Sequence, residues 1–397
     1  MKPHILIAGA GPVGMVSALV LGKAGIAVTL LEGAPGLSMD LRASTFHPPT
    51  LDMLARYGLS QTIIPQGLVA RYTQQRDRSE GVIAEFDMDL LKNDTEHPFR
   101  LQCEQWKLTE AIKDQLAQLP HVKILFNAKV ESVSQTADKV QLVAQQEGES
   151  LRLEGDYLIG ADGAWSAVRR SVGIEFEGYT YPERFLVIST DFEYANYLPK
   201  LSYVNYCSDP KEWCVLLRVP TLWRVLFPTR PEESDEEVLT DEAVQARLQN
   251  LLAQPQPYKT IHRTLYKVHQ RVAKEFRRGR VLLAGDSAHV NNPLGGFGLN
   301  SGIHDAVNLG EKLARVMQGS ASADLLDLYH RQRHTVAMEY VQTLSVKNKK
   351  NLEEKDLPTR LARFEELRQT VADPVKARAY LLMSSMINSI ARANAIT

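Results

Sequence analysis

The chain has 397 residues, 44% of them hydrophobic and 23% charged, with a formal net charge of -1. This length is too great for one small core and predicts two domains, and the balance of apolar and charged residues is typical of a globular protein. A net charge so close to zero provides no basic field for nucleic acid or an anionic membrane surface, so we expect neither as a partner.

Cysteine usage favours a reducing compartment. The three cysteines, Cys103, Cys207 and Cys214, form no C-x-x-C pair and show no metal-ligand spacing. An odd, low count is typical of proteins that keep their thiols reduced. We therefore expect no metal site, and we expect each cysteine to be a small buried hydrophobe rather than a catalytic thiol.

Residues 5–31 are strongly apolar, which raises a signal peptide or a membrane anchor as alternatives. Glycines and a proline interrupt this run where a strand, a turn and a helix would meet, and no A-x-A-like site precedes a polar start. The run therefore predicts a βαβ unit, with a strand over 3–8, a helix over 12–25 and a strand over 27–32. We expect a cytoplasmic protein with no membrane span.

The first half of the chain continues with mixed elements. Helices are predicted over 48–58 and 105–119, the first ending at Gly58. Further strands are predicted over 68–90, 122–126, 139–145 and 150–159.

Aromatic residues concentrate from about 180 to 267 and alternate in places with polar ones. This pattern predicts an antiparallel sheet with one face against a ligand or core. An acidic run from Glu232 predicts a helix reaching Leu252. Beyond residue 280 the chain is predicted to be mostly helical, with one more helix over 373–397.

The segment Gly9-Ala-Gly-Pro-Val-Gly14 follows the first strand and opens the first helix. Gly9 permits the tight turn, Gly11 lets the backbone approach a pyrophosphate, and Gly14 allows close packing of helix on strand. Glu32, at the end of the next strand, suits a ribose. The motif predicts a dinucleotide, FAD or NAD, and Glu32 disfavours NADP because its carboxylate would repel a 2′-phosphate.

A second segment, Asp162-Gly-Ala-Trp-Ser-Ala-Val-Arg169, follows another buried strand. Its Asp-Gly pair can turn toward a cofactor while Ser166 caps and Arg169 anchors the next helix. Taken alone, the segment is equally an ordinary strand–helix turn.

The third segment runs from Arg280 to Asn300. An apolar strand over 281–284 leads to Gly285-Asp286, then to a glycine-rich loop and a helix from about Ser301. An acid at a strand end suits sugar or ribityl hydroxyls. The N–H groups and dipole at a helix start suit a phosphate or an electron-rich ring edge.

Together the three segments resemble the single-component FAD-dependent aromatic hydroxylases, the flavoprotein monooxygenases of the para-hydroxybenzoate hydroxylase type. The resemblance covers nearly the whole chain and fits the compact form without a thioredoxin-like C-terminal domain. It implies an α/β fold: a Rossmann-like FAD-binding domain, an interleaved α+β substrate domain on a mostly antiparallel sheet, and C-terminal helices. The implied domains are FAD binding over 1–72, 97–180 and 268–340, substrate binding over 73–96 and 181–267, and a helical segment over 341–397.

The resemblance also implies which residues bind FAD. They are Gly9, Gly11, Val13 and Gly14 at the pyrophosphate, Glu32 at the adenosine ribose, Arg42 near the diphosphate and flavin, Gln105 approaching the FAD, Asp162 shaping the pocket, Asp286 at the ribityl–phosphate portion, Pro293, Gly296, Gly298 and Leu299 beside the isoalloxazine ring, and Asn300 at the start of the following helix. At Gln105 the match also admits Glu104.

The implied reaction hydroxylates a small aromatic or heteroaromatic substrate through a peroxyflavin intermediate, with O2 as co-substrate. NADH or NADPH is the transient electron donor. No second G-x-G-x-x-G marks a nicotinamide site, which fits transient docking on a surface groove and leaves the choice of donor open. The alternatives are a flavin-dependent reductase or dehydrogenase that does not use oxygen and a non-catalytic flavin-binding protein.

The catalytic base is not assigned by these patterns. His47 is either close to the flavin ring or a structural loop histidine, whereas His289 is expected to be structural. Candidates for substrate contact in the predicted sheet are Tyr203, Tyr206, Trp213 and Arg218. Monomer and homodimer both remain open, because the C-terminal helices can pack internally or form a dimer face.

Overall fold

A computed structural model describes residues 3–41 and 43–397. Its strands, in chain order, are β1 (His4–Ala8), β2 (Ala27–Leu31), β3 (Thr45–Phe46), β4 (Leu68–Ala70), β5 (Tyr72–Asp77), β6 (Gly81–Asp87), β7 (Arg100–Gln102), β8 (Val122–Leu125), β9 (Ala128–Gln135), β10 (Val140–Gln146), β11 (Glu149–Gly155), β12 (Tyr157–Gly160), β13 (Phe176–Thr190), β14 (Val204–Ser208), β15 (Cys214–Arg218), β16 (Trp223–Pro228), β17 (Thr260–Ala273), β18 (Arg277–Arg278), β19 (Val281–Leu283) and β20 (His289–Val290).

Its α-helices are α1 (Pro12–Lys23), α2 (Pro48–Ala55), α3 (Leu59–Ile63), α4 (Gln105–Leu116), α5 (Ala167–Ser171), α6 (Asp235–Val238), α7 (Asp241–Leu251), α8 (Phe297–Met317), α9 (Leu325–Val336), α10 (Thr343–Glu353), α11 (Leu357–Ala372), α12 (Pro374–Ser384) and α13 (Ile387–Asn394). A π-helical segment, Ala337–Gln342, joins α9 to α10. Among the described residues, no helix combines the length and apolar character needed to cross a bilayer.

The first large sheet has the strand order β18-β19-β12-β1-β2-β8, and its strands run parallel except for β18 at the edge. Its central strands are continuous apolar runs because both faces are covered, one by helices that include α1 and the other by the three-stranded sheet β11-β10-β9. On one face α1 packs against α8, where a Cβ at Gly310 would lie 2.7 Å from the Val20 side chain. Gly310 therefore lets the two helices approach closely. This is the predicted Rossmann-like sheet.

The second large sheet has the order β20-β17-β13-β16-β15-β14-β5-β6. Every neighbouring pair is antiparallel except β14 with β5. Because β5 and β6 precede most of the first sheet in sequence, the two sheets are interleaved along the chain, and the predicted fold class is confirmed. The division into domains stays a prediction, and its boundary at 180/181 falls inside β13.

The C-terminal helices pack internally against the second sheet. Phe364 of α11 and Leu381 of α12 join a buried cluster with Ile83 and Phe86 of β6. The rings of Phe86 and Tyr380 stack with their centroids 4.1 Å apart. The helical tail thus covers the β6 edge of the second sheet.

Two predicted boundaries were wrong. The single strand over 150–159 is two strands of different sheets, and the Asp156 carboxylate accepts a hydrogen bond from the His4 backbone at 2.8 Å where they part. The helix after the acidic run is also two helices, because Ser234 forms a capping box and Thr240 caps a new start.

The predicted helix over 373–397 is likewise divided. Met386 takes a left-handed conformation, with φ 66°, between α12 and α13. Before α12 lies α11, which was predicted only as part of the mostly helical region beyond residue 280. Met386 is buried against Phe297 and Val341, so the break depends on tertiary packing that the local pattern does not contain.

Candidate active site

The three sequence motifs meet at one edge of the parallel sheet. β2, β1, β12 and β19 are neighbours, so the segments after their carboxyl ends lie side by side. The contact is close: a Cβ at Gly9 would lie 2.4 Å from the Ala161 carbonyl oxygen. In open parallel sheets this edge is where ligands bind.

The start of α1 is shaped for an anion. Gly11 caps the helix without a side-chain hydrogen bond, and the first turn holds no acidic residue. A Cβ at Gly11 would meet nothing within 4 Å, whereas one at Gly14 would lie 1.9 Å from the Gly9 carbonyl oxygen. Gly14 therefore brings the helix onto the strand, while the space beside Gly11 exposes N–H groups at the positive end of the helix dipole.

Val13 joins the first and last motifs. Its side chain would be 2.7 Å from a Cβ at Gly285 and 2.6 Å from one at Gly302. Both glycines therefore make room for Val13, which packs against the turn that carries Asp286.

Glu32 lies at the end of β2 with its carboxylate oriented by backbone groups. Its two oxygens accept hydrogen bonds from the N–H of Ala10 at 2.8 Å and of Ala34 at 2.9 Å. A carboxylate has further lone pairs for hydroxyl donors such as those of a ribose.

Asp162 follows β12, and only one oxygen of its carboxylate is hydrogen-bonded. Oδ2 accepts from the Val168 N–H at 3.1 Å, and Oδ1 is buried without a hydrogen-bond partner among the described residues. Burial raises the pKa of this carboxyl above its ordinary 3.8. A buried orphan oxygen beside the edge fits a cofactor that supplies the missing donor.

The rest of this motif builds structure, as the sequence predicted. Ser166 caps α5 by accepting from the Arg169 N–H at 2.9 Å. The Arg169 guanidinium donates to the Ser287 carbonyl at 2.8 Å and lies 3.8 Å from the centre of the Phe176 ring. Arg169 therefore ties the middle motif to the late one.

A buried ionic network holds the late motif. The fully buried Asp305 carboxylate accepts from Arg333 Nε at 2.5 Å, His289 Nε2 at 2.8 Å and the Gly285 N–H at 3.0 Å. Asp286, next to Gly285, is exposed. The structural role predicted for His289 is thus confirmed.

Sequence reasoning missed Asp305 and Arg333. Asp305 stands between Ile303 and Ala306 on the apolar face of α8, and a carboxylate there requires a buried partner. A charged residue at an apolar position of the predicted helix was the signal that could have revealed this network.

The loop before α8 is held by His47 and Asn300. Asn300 Oδ1 accepts from the His47 N–H at 2.8 Å, and its Nδ2 donates to the carbonyls of Thr45 at 2.8 Å and Gly296 at 2.6 Å. His47 Nε2 donates to the Gly295 carbonyl at 2.8 Å, since a carbonyl can only accept. Both side chains are fully buried.

His47 is neutral and fixes the loop over 291–296, called the glycine loop below, through its bond to Gly295. Burial, with repulsion from Arg100, holds the pKa of His47 well below its ordinary 6.5. Nε2 carries the proton, so Nδ1 is an acceptor, and it has no partner in the described part of the chain. The geometry therefore favours a positioning role on the glycine loop.

Helix α8 begins earlier than predicted. Gly296, with φ 71°, caps it, so the first turn starts at Phe297 rather than at Ser301. The Gly296 N–H donates to the Pro293 carbonyl at 3.0 Å, which closes the preceding turn. Gly298 and Leu299 lie half-buried in a first turn that lacks acidic residues. Uncapped N–H groups there suit an electron-rich ring edge.

The remaining predicted FAD contacts are Gln105, with Glu104 as its alternative, and Arg42. Gln105 begins α4, and its N–H donates to the Ala43 carbonyl at 3.2 Å. Glu104, the alternative, is buried and pairs with Lys107 at 2.7 Å, which favours Gln105 for an outside ligand. Arg42 lies outside the described residues.

A cavity of about 160 Å³ opens beside the glycine loop. Three parts of the fold line it: the loop at Gly295 and Phe297, the second sheet at Gln75 and Tyr206, and C-terminal helices. Of the four predicted sheet candidates only Tyr206 lines it. The others are an exposed Tyr203, a Trp213 packed on Phe185, and an Arg218 paired with Glu193.

Arg100 is the cavity's most informative residue. Its side chain is buried and donates to the Tyr206 hydroxyl at 3.3 Å and the Ser384 carbonyl at 3.1 Å. Its Nε has no partner, and no carboxylate of residues 3–41 and 43–397 pairs with it. A buried cation without a counter-charge marks an anion site.

Comparisons with known proteins agree with this geometry. Residues 2–344 match the family model described as FAD binding domain. The chain is 36% identical over 389 residues to para-nitrophenol 4-monooxygenase of Pseudomonas sp. (strain WBC-3), covering 97% of this chain and 96% of that protein. It is 34% identical over 361 residues to 6-hydroxy-3-succinoylpyridine 3-monooxygenase of Pseudomonas putida (strain DSM 28022 / S16), covering 89% of each.

A solved structure is similar over the full fold. The crystal structure of p-nitrophenol 4-monooxygenase from Pseudomonas putida DLL-E4 superposes with a TM-score of 0.93 at 33% identity, covering 99% of this chain and 98% of that one. The open start of α1, the orphaned Asp162 oxygen and the uncapped start of α8 fit FAD at the shared sheet edge. The chain therefore belongs to the family of single-component FAD-dependent aromatic monooxygenases.

Proposed function

We propose that this FAD-dependent aromatic hydroxylase acts on a single-ring substrate whose anionic or strongly polar oxygen pairs with Arg100. The observation that carries the proposal is the buried guanidinium without a carboxylate partner, placed in a cavity that the glycine loop also lines. Support comes from the size of the cavity, because about 150 Å³ of apolar space admits a benzene ring. The two curated relatives described above act, by name, on a nitrophenol and a hydroxypyridine.

FAD, when bound, accepts a hydride from NAD(P)H and activates O2 for transfer to the aromatic ring. The chain's own residues bind and orient. We propose that the FAD contacts are those expected from the motifs: Gly9, Gly11, Val13, Gly14, Glu32, Arg42, Gln105, Asp162, Asp286, Pro293, Gly296, Gly298, Leu299 and Asn300. His47 and Asn300 fix the loop on which the reacting ring would rest.

Arg100 also has a chemical role in this proposal. In a site of low dielectric, a fixed guanidinium stabilises a phenolate over the neutral phenol. A phenolate ring is richer in electrons and is a better acceptor of oxygen. Tyr206, which receives a hydrogen bond from Arg100, orients the guanidinium toward the cavity.

The test compares Arg100→Met and Arg100→Lys with the control Arg71→Met, which removes an exposed guanidinium paired with Asp87. NAD(P)H and oxygen consumption would be followed with nitrophenols, hydroxybenzoates and hydroxypyridines. We expect Arg100→Met to lower kcat/KM about 100-fold, or about 3 kcal/mol, at full flavin content. The kcat/KM of Arg100→Lys should lie between those of wild type and Arg100→Met. Lysine keeps the positive charge but lacks the planar set of donors of a guanidinium.

Two results would contradict the proposal. Unchanged kcat/KM in Arg100→Met would exclude Arg100 from substrate binding. NAD(P)H oxidation stimulated by substrate without oxygen consumption would contradict hydroxylation itself.

The cytoplasmic location and the assembly state are part of the proposal. All three cysteines are unpaired and buried, which supports a reducing compartment. Analytical ultracentrifugation of the purified holoenzyme would decide between monomer and homodimer.

A further inference from the structure

The cavity has an inner end and an outer end. Arg100, Tyr206 and Phe297 line the inner end and are buried. Lys347 and Glu366 line the outer end and are exposed. The lining therefore passes from the glycine loop to the surface, between α10 on one side and α11 with α12 on the other.

The two walls of this opening are joined to the fold by different contacts. Asn348 of α10 donates to the Leu294 carbonyl at 3.2 Å, and Lys349 pairs with Glu183 at 2.6 Å, so α10 is held by the glycine loop and by β13. Helices α11 and α12 pack on β6. Arg363 bridges the walls by donating to the Asn351 carbonyl.

Three cationic side chains line the cavity. The exposed Lys347, the half-buried Arg363 and the buried Arg100 all line the cavity, from its outer end to its inner end. Burial lowers the pKa of Arg363, and no ion pair between described residues neutralises it. Glu366 is the acidic side chain of the lining. Because the whole protein has a net charge of -1, these three cations make the cavity positive relative to the rest of the protein.

We propose that the substrate enters as an anion between α10 and α11–α12, and that Lys347 at the rim steers it inward. This inference rests on the proposed function, since it requires that Arg100 receive an anionic aromatic compound. Fields of this kind raise association rates at low ionic strength and are screened by salt.

The experiment measures the rate constant for association of 4-nitrophenolate with the oxidised holoenzyme by stopped-flow absorbance of the flavin. Lys347→Glu is compared with Lys350→Glu, which makes the same charge change on an exposed face of α10 outside the cavity lining. Glu366→Gln removes a negative charge from the lining, which is the opposite electrostatic change. Thr370→Trp narrows the opening sterically.

We expect Lys347→Glu to slow association about 5-fold at 10 mM salt, with the difference lost at 0.5 M, and Lys350→Glu to match the wild type. Glu366→Gln should speed association, and Thr370→Trp should slow both association and release at every salt concentration. If wild type binds 4-nitrophenolate and all variants bind it equally fast, the entrance lies elsewhere while the Arg100 site stands. If wild type neither binds nor turns over any anionic phenol, the Arg100 site fails and this entrance fails with it.

Discussion

The Asp305 network offers a quantitative test of how the late motif is held. Burial alone would raise the pKa of Asp305, but Arg333 and His289 outweigh it and hold the pKa at about 2, below the ordinary 3.8. A difference of about 2 units corresponds to about 2–3 kcal/mol of stability. Because the folded pKa is the lower one, this stabilisation is complete above about pH 4 and is lost as the pH falls through about 2.

At neutral pH the substitution Asp305→Asn removes the counter-charge of the fully buried Arg333. We expect it to cost about 3–5 kcal/mol in the free energy of unfolding, since an uncompensated cation remains buried. The matched control is Asp327→Asn, which removes a carboxylate 54% exposed and 2.8 Å from Arg277. A surface pair of this kind contributes about 1 kcal/mol or less.

Urea unfolding of the holoenzymes, followed by tryptophan and flavin fluorescence, gives both values. A loss in Asp305→Asn within 1 kcal/mol of the control, with full flavin content, would refute the reasoning. The double variant Asp305→Leu with Arg333→Met separates two roles. It should recover much of the stability, because no buried charge remains, yet bind FAD more weakly, because the Gly285 N–H has lost its acceptor.

Three further outcomes follow from local geometry. Gly14→Ala should abolish flavin binding or folding, because its Cβ would lie 1.9 Å from a carbonyl oxygen, while Gly36→Ala, with nothing within 4 Å, should retain flavin content and melting temperature. Asp286→Ala should lower flavin occupancy after gel filtration, and full retention would show that this carboxylate does not bind FAD. Native enzyme at pH 8 should release no thionitrobenzoate from 5,5′-dithiobis(2-nitrobenzoate), because all three thiols are buried and burial raises the pKa of Cys103 to about 12. Unfolded enzyme should react at three thiols per chain.

The sequence predicted best what depends on neighbouring residues. The first βαβ unit needs a glycine turn between β1 and α1, and its observed bounds lie within two residues of the predicted ones. The break at Met386 depends on packing against Phe297, which lies about 90 positions earlier. No window of local sequence contains that partner, so the break was missed.

The candidate site divides in the same way. Glycines and acids at strand ends were recognisable because the carboxyl ends of parallel strands share an edge. Arg100 stands between Phe99 and Leu101 in a segment without a motif. Its importance arises only when the second sheet and α12 enclose it, so the predicted substrate domain, residues 73–96 and 181–267, supplied only part of the cavity.

The contact between Arg100 and Ser384 explains how the chain tolerates this buried cation. Ser384 is the last residue of α12, and its carbonyl accepts from Arg100 at 3.1 Å. The C-terminal end of a helix carries about half a negative charge, so it offsets part of the guanidinium charge and leaves the remainder for a substrate anion. The same bond fastens the helical tail to β7. Helix α12 is therefore part of the proposed substrate site, and removing it should weaken substrate binding more than FAD binding.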